Sequence, residues 1–89
     1  MVEVKVTSVL QKVTGAKVVE GHGGTVAELI SDLDEKYPGF KRQIMQNGSL
    51  HRFVNIYLND EDIRFLEQLE TPLQEGDVLS ILPALAGGE

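Results

Sequence analysis

The sequence predicts an α+β domain: a mixed sheet of four to five strands with one main helix packed across one face. Three observations point there. Apolar residues alternate with polar ones at Val2, Val4 and Val6, and again at Val54, Ile56 and Leu58, the period-2 pattern of half-buried strands. Between these segments lies an apolar stripe at helical spacing, Val26, Leu29, Ile30, Leu33 and Tyr37. The chain has 89 residues, enough for one domain with one modest core and no room for a second.

Taken in order, the first strand covers Val2 to Val6, with Glu3 and Lys5 facing away from the valines. The stretch Ser8 to Thr14 is read as loop or strand extension before Gly15. Lys17-Val18-Val19-Glu20 is a second strand that forms a hairpin with the first. Gly21-His22-Gly23-Gly24 breaks the chain. Thr25 and Glu28 then stand at capping-box spacing, where each side chain satisfies a free backbone donor at a helix start. The helix carries Glu28, Asp32 and Glu35 largely on its polar side and stops at Pro38-Gly39. Phe40, Ile44 and Met45 predict another helical turn or two before the turn dipeptide Asn47-Gly48.

Phe53 to Leu58 is the next strand, with Phe53, Asn55 and Tyr57 on the face opposite Val54, Ile56 and Leu58. Asn59-Asp60-Glu61 turns into a short strand over Asp62 to Phe65. Leu66 to Leu73, interrupted by Pro72, reads as an irregular connection with a single helical turn. After the turn Glu75-Gly76-Asp77, Val78 to Leu82 is the last strand. Pro83 has no N–H to give to a ladder and ends it. The helix stripe would face Val4, Val6, Val54, Ile56, Leu79 and Ile81, with the first and last strands side by side in mid-sheet. That element order is the β-grasp arrangement of ubiquitin-like proteins. It divides the chain into a body, 1–83, and a flexible Gly-Gly tail, 84–89.

Charge and composition exclude several functions. Eight basic and 14 acidic residues give a formal net charge of −6. That opposes non-specific nucleic-acid binding, which needs cations to displace counterions. It suits docking on a basic patch of a protein partner. The absence of cysteine removes disulfides, thiolate metal sites and a thiol nucleophile. The N-terminal residues lack the pattern of a signal peptide, and no apolar run approaches a membrane span, so the expectation is a soluble cytoplasmic protein with no membrane partner.

Nothing inside the body has the pattern of a catalytic site, and no metal site is expected. His22 in its glycine-rich loop and His51 before a strand have no cysteine companions, and they read as surface or packing residues. Gly21 to Gly24 lacks the lysine and spacing of a phosphate loop. Asp60, Glu61 and Asp62 read as a solvated turn, without EF-hand spacing. Ser8, Ser31, Ser49 and Ser80 have no histidine pattern beside them.

The tail Pro83-Ala84-Leu85-Ala86-Gly87-Gly88-Glu89 differs from the rest because its last residues lose every large side chain. Such a segment can be threaded into a narrow active site, since glycine leaves nothing to clash. A carboxylate at its end is a poor electrophile. A partner would have to adenylate it with ATP before a nucleophile could displace AMP.

With this tail on this body, the sequence resembles the ubiquitin-like sulfur carrier proteins, over nearly its whole length. That family includes the small subunit of molybdopterin synthase, the thiamin-pathway carrier and the carrier of cysteine biosynthesis. The resemblance is carried by Glu75-Gly76-Asp77, Val78 to Leu82, Pro83 and Gly87-Gly88. The stretch Leu50 to Phe65 is most similar to the cysteine-biosynthesis branch. The resemblance implies that Gly88 is adenylated by an E1-like enzyme and converted to a thiocarboxylate. Pro83, Ala84, Leu85, Ala86 and Gly87 would line the partner's channel. Leu82, on the face opposite Leu79 and Ile81, would dock, with Phe53 and Tyr57 as further docking candidates.

The implied sulfur acceptor is a PLP-dependent cysteine synthase or, alternatively, the large subunit of molybdopterin synthase. A metal-dependent peptidase would release the product cysteine. The protein itself would be no enzyme and bind no cofactor, the ATP being used by its activating partner. Two positions depart from the family pattern. Glu89 follows the Gly-Gly, so a peptidase must remove it first, unless it is a residue added to the natural chain or this copy is not a carrier. Ala84 stands where the molybdopterin branch commonly has the second proline of a pair. The alternative functional class is a ubiquitin-like protein modifier or a non-covalent β-grasp adaptor.

Overall fold

The computed structural model describes residues 1–7, 9–51 and 54–83. Five strands form one mixed sheet: β1 (Val2–Val6), β2 (Val18–Gly21), β5 (Val54–Leu58), β6 (Glu61–Asp62) and β7 (Val78–Pro83), in the spatial order β2-β1-β7-β5-β6. The central pair β1 and β7 is parallel, with Val4 opposite Leu79 and Val6 opposite Ile81. The outer pairings are antiparallel. The expected adjacency of first and last strands is therefore present, and it is what lets one helical layer cover both ends of the chain.

That layer holds α2 (Val26–Lys36), α3 (Phe40–Ile44) and the six-residue α1 (Val9–Thr14). Thr25 caps α2 as its spacing predicts, its side-chain oxygen accepting from the Glu28 N–H at 3.2 Å. The reciprocal bond runs one residue further out, from the Gly24 N–H to Glu28 Oε1 at 2.8 Å. Val26, Leu29, Ile30 and Leu33 are buried against Val4, Val6, Val54, Ile56, Leu79 and Ile81 in one cluster, and Phe40, Ile44 and Leu10 extend it.

The glycine-rich break before α2 is a packing device. A Cβ on Gly23 would lie 2.5 Å from the Leu29 backbone nitrogen, and one on Gly21 would lie 2.4 Å from Leu29 Cδ1. At position 23, where the obstacle is backbone, only glycine lets the chain pass this close to the helix.

Several elements differ from the sequence expectation. The stretch read as loop or strand extension contains α1, which buries Leu10 and ends where the Gly15 N–H reaches the Gln11 carbonyl at 2.7 Å. The β1–β2 pair is thus not a tight hairpin. Met45 leaves α3 and pairs with Leu50 in a two-residue hairpin, β3 (Met45–Gln46) and β4 (Ser49–Leu50), closed by Asn47 and Gly48 at φ 55° and 83°. The strand expected over Asp62 to Phe65 is only the end of β6. From Ile63 to Phe65 the chain forms a 3-10 turn, because the Asp62 carboxylate accepts the Arg64 N–H at 2.8 Å and caps it. A second 3-10 turn at Gln68–Glu70 matches the single helical turn expected there.

The β7 strand runs one residue further than expected. Pro83 pairs with Val54 at the very end of the ladder, beyond Ile81, the last β7 residue in register with β1, which is where a residue without an N–H is tolerated.

Candidate functional site

Two faces of the sheet divide the labour. Helices cover one. The other is uncovered among the described residues and is built from the alternate positions of each strand. Its cross-strand rows follow from the register. Glu20, Glu3 and Val78 form the first row. Val18, Lys5, Ser80, Tyr57 and Asp62 form the second. Leu82 opposite Asn55 forms the third, at the end of β7 from which the tail continues.

The predicted docking residues fall here where they are described. Leu82 is 37% exposed and faces away from the buried Leu79 and Ile81. Tyr57 is half-buried one row behind it. Pro83 closes β7. Phe53, Ala84, Leu85, Ala86, Gly87, Gly88 and Glu89 lie outside the described residues. The tail is thus rooted on a strand paired on both sides, β1 on one and β5 on the other, with the β5 pairing reaching Pro83 itself. Met1 lies at the opposite end of β7, where its amino group pairs with Glu75 Oε1 at 2.5 Å and its carbonyl accepts the Gly76 N–H.

Sequence reasoning did not single out a polar relay beside Leu82. Asp62 Oδ1 accepts both the Arg64 backbone N–H and, at 3.4 Å, its Nε–H. The Arg64 guanidinium then donates through Nη2 to Asn55 Oδ1. The capping N–H, aided by the guanidinium, holds the Asp62 carboxyl below its ordinary carboxylate pKa. Asp62 is therefore a cap and an anchor, not part of a solvated turn. Phe65, which follows in the 3-10 turn, is 83% exposed. Neither feature has a local signature: the Asn55 contact depends on the β5–β6 register, and an aromatic flanked by Arg64 and Leu66 reads as packing.

The two histidines lie apart, one on each side of α2 and α3 in the sequence. His22 is exposed, and its backbone N–H donates to Asp32 Oδ2 at 2.9 Å, the main reason the Asp32 carboxyl titrates below its usual value. His51 is half-buried, its N–H on the Ile44 carbonyl. Among the described residues no group of three His, Cys, Asp or Glu side chains is placed to hold a metal. A cleft of about 290 Å³ at the β5 edge, lined by Leu50, His51, Val54, Ile56, Ile63 and Arg64 among others, has an apolar floor and no paired carboxylates. No helix among the described residues is long and apolar enough to cross a membrane.

Comparison with known proteins matches this body closely. A model of the ThiS family matches residues 4–88. The chain is 46% identical over 91 residues to the sulfur carrier protein CysO of Mycobacterium tuberculosis (strain ATCC 25618 / H37Rv), covering 98% of each chain. It is 30% identical over 64 residues to small archaeal modifier protein 3 of Haloferax volcanii, covering 72% of this chain and 70% of that one. Among solved structures it superposes with TM-score 0.92 and 45% identity on a chain of the BexX/CysO complex of Amycolatopsis orientalis, covering 99% of this chain and 100% of that one. CysO of Mycobacterium tuberculosis superposes with TM-score 0.89 at 44% identity, over 94% of this chain and 99% of the other.

Proposed function

This chain belongs to the ThiS family, and from that premise we propose that it is a sulfur carrier of the cysteine-biosynthesis type, a protein co-substrate of partner enzymes. The observation that carries the reading is the full-length likeness to a sulfur carrier, combined with a Gly87-Gly88 tail that continues from the central strand of the sheet. A peptidase first removes Glu89, which exposes the Gly88 carboxylate. That carboxylate attacks the α-phosphorus of ATP on an E1-like enzyme, and pyrophosphate leaves. A sulfur nucleophile then displaces AMP at the acyl carbon, leaving a thiocarboxylate on Gly88. Its sulfur bonds to the β-carbon of an activated serine derivative held by a PLP-dependent synthase as the activating group leaves that carbon. A metal-dependent peptidase then hydrolyses the acyl bond between carrier and product, releasing cysteine and restoring the Gly88 carboxylate. Molybdopterin or thiamin assembly would use the same thiocarboxylate with a different acceptor.

The chemistry explains why the carrier needs no catalytic side chains. Adenylation, sulfur transfer and cleavage are all supplied by partners, and this chain supplies a reactive end on a rigid handle. The absence of side chains at Gly87 and Gly88 allows the tail to enter a closed site. Docking falls to the body, through Leu82 and Tyr57 on the uncovered face, with Phe53 as a further contact.

A second reading, a protein modifier joined to lysines through Gly88, is favoured by the likeness to a small archaeal modifier protein. The two readings separate on the product. Incubation of a chain lacking Glu89 with the E1-like enzyme of its own genome and ATP should give an acyl-adenylate. Adding a sulfur donor should convert it to a thiocarboxylate. Isopeptide-linked Gly88 on cellular proteins, with no thiocarboxylate formed, would favour the modifier instead.

A further inference from the structure

We propose that Asn55 is a specificity-determining residue of the carrier: it presents two N–H groups to a carboxylate on the activating enzyme, beside an apolar recess for Leu82. This inference rests on the sulfur-carrier reading and deepens it by naming the chemistry of the partner's docking surface.

A guanidinium carries only donors, so the Asn55 atom that Arg64 contacts must be the carboxamide oxygen. Arg64 is itself fixed from the other side, through Asp62, which binds both its backbone N–H and its Nε–H. The relay Asp62–Arg64–Asn55 therefore sets the amide's orientation. Nδ2 points away from Arg64 and donates to no group among the described residues. An asparagine on an open sheet face ordinarily rotates between orientations; here one orientation is selected before any partner arrives. The gain is preorganisation, which reduces the ordering cost of binding.

The position is as specific as the orientation. Asn55 is the direct cross-strand neighbour of Leu82, the last outward side chain before Pro83 and the tail. Any enzyme that swallows the tail must close over this row. Charge along the face is also segregated. The row at the start of β7 carries Glu3 and Glu20, whereas the row at its end carries the Asn55 donors with the half-exposed Arg64 behind them. A carboxylate fits that end, because it can accept from Asn55 Nδ2 with a cation nearby, while Leu82 supplies adjacent apolar area.

The test is steady-state ATP–pyrophosphate exchange by the E1-like enzyme of the same genome, with the chain lacking Glu89 as variable substrate. Asn55→Asp preserves the partner of Arg64, so folding is retained, but replaces the donors by a carboxylate. The expected result is a KM raised by about tenfold or more with kcat unchanged. Asn55→Ala, which removes the donors without adding charge, should raise KM by a smaller factor and serves if the aspartate variant fails to fold. KM within twofold of the parent for these variants would overturn the proposal. So would a fall in kcat at constant KM, because that would place Asn55 in tail geometry and not in docking. If the parent chain itself supports no exchange, the sulfur-carrier reading fails, and this inference fails with it.

Discussion

The two faces of β7 do opposite work with alternate residues of one strand. Leu79 and Ile81 are fully buried under the helices, while Val78, Ser80 and Leu82 look outward and Leu82 keeps 37% of its surface in water. The buried face makes the strand a rigid root for whatever follows Pro83. The open face leaves Leu82 beside that root, where the proposed partner would dock. A carrier needs both in one strand, because a tail delivered into another protein's active site must be aimed from a body that does not give way. The difference between the faces therefore separates what mutations should do: stability should be lost on one side and recognition on the other.

Removing Gly87 and Gly88 should have the largest effect, abolishing adenylation while leaving the melting temperature of the body unchanged; calorimetry and pyrophosphate exchange on the same sample check both halves. On the buried face, Ile81→Ala should lower stability by about 2–5 kcal/mol in urea unfolding, because it leaves a cavity between the helices and the centre of the sheet. Gly23→Ala should cost about 1–3 kcal/mol, since a methyl there would meet the Leu29 backbone nitrogen at 2.5 Å. On the open face, Leu82→Ser should change stability by less than about 0.5 kcal/mol yet weaken carrier–enzyme binding severalfold, measured by titration calorimetry. A comparable stability loss at Leu82 and Ile81 would break the comparison.

The smallest effect expected is in pH dependence. The His22 N–H and then Lys36 hold the folded Asp32 carboxyl below its ordinary value, and the Arg64 N–H does the same for Asp62. A folded pKa below the unfolded one means that the stabilisation is complete above the ordinary carboxylate range. It is lost as pH falls through and below that range. Unfolding free energy should therefore be flat near neutrality and decline in acid, and Asp32→Asn should flatten part of that decline.

How much of this was legible in the sequence depends on the range of the interaction that decides each feature. Helix α2 was legible because its cap, stripe and stop all lie within about a dozen residues. The adjacency of β1 and β7 in mid-sheet was legible as the way to bury both apolar alternations under one helix, and their parallel sense came from the structure. Helix α1 was not, because Val9 and Val13 suit a strand as well as a helix, and six residues show under two turns of period. Its one local signal was Gly15, at φ 79° just beyond the helix end. The strand misread at Ile63 to Phe65 turned on a single carboxylate cap, with the same Asp62 that reads as a turn residue. The Asn55–Arg64 contact was invisible, since it exists only after β5 and β6 pair. The outward position of Leu82 was legible from alternation alone, whereas the exposure of Phe65 and the orientation of Asn55 required the fold.

The central claim is that Gly88 carries the sulfur. Its most direct test is intact-mass and fragment-ion spectrometry of the chain lacking Glu89 after incubation with the E1-like enzyme, ATP and a sulfur donor. One sulfur should replace one oxygen, localised to the C-terminal carboxyl of Gly88. An unmodified Gly88 in a reaction where the same enzyme demonstrably thiocarboxylates another carrier would contradict it.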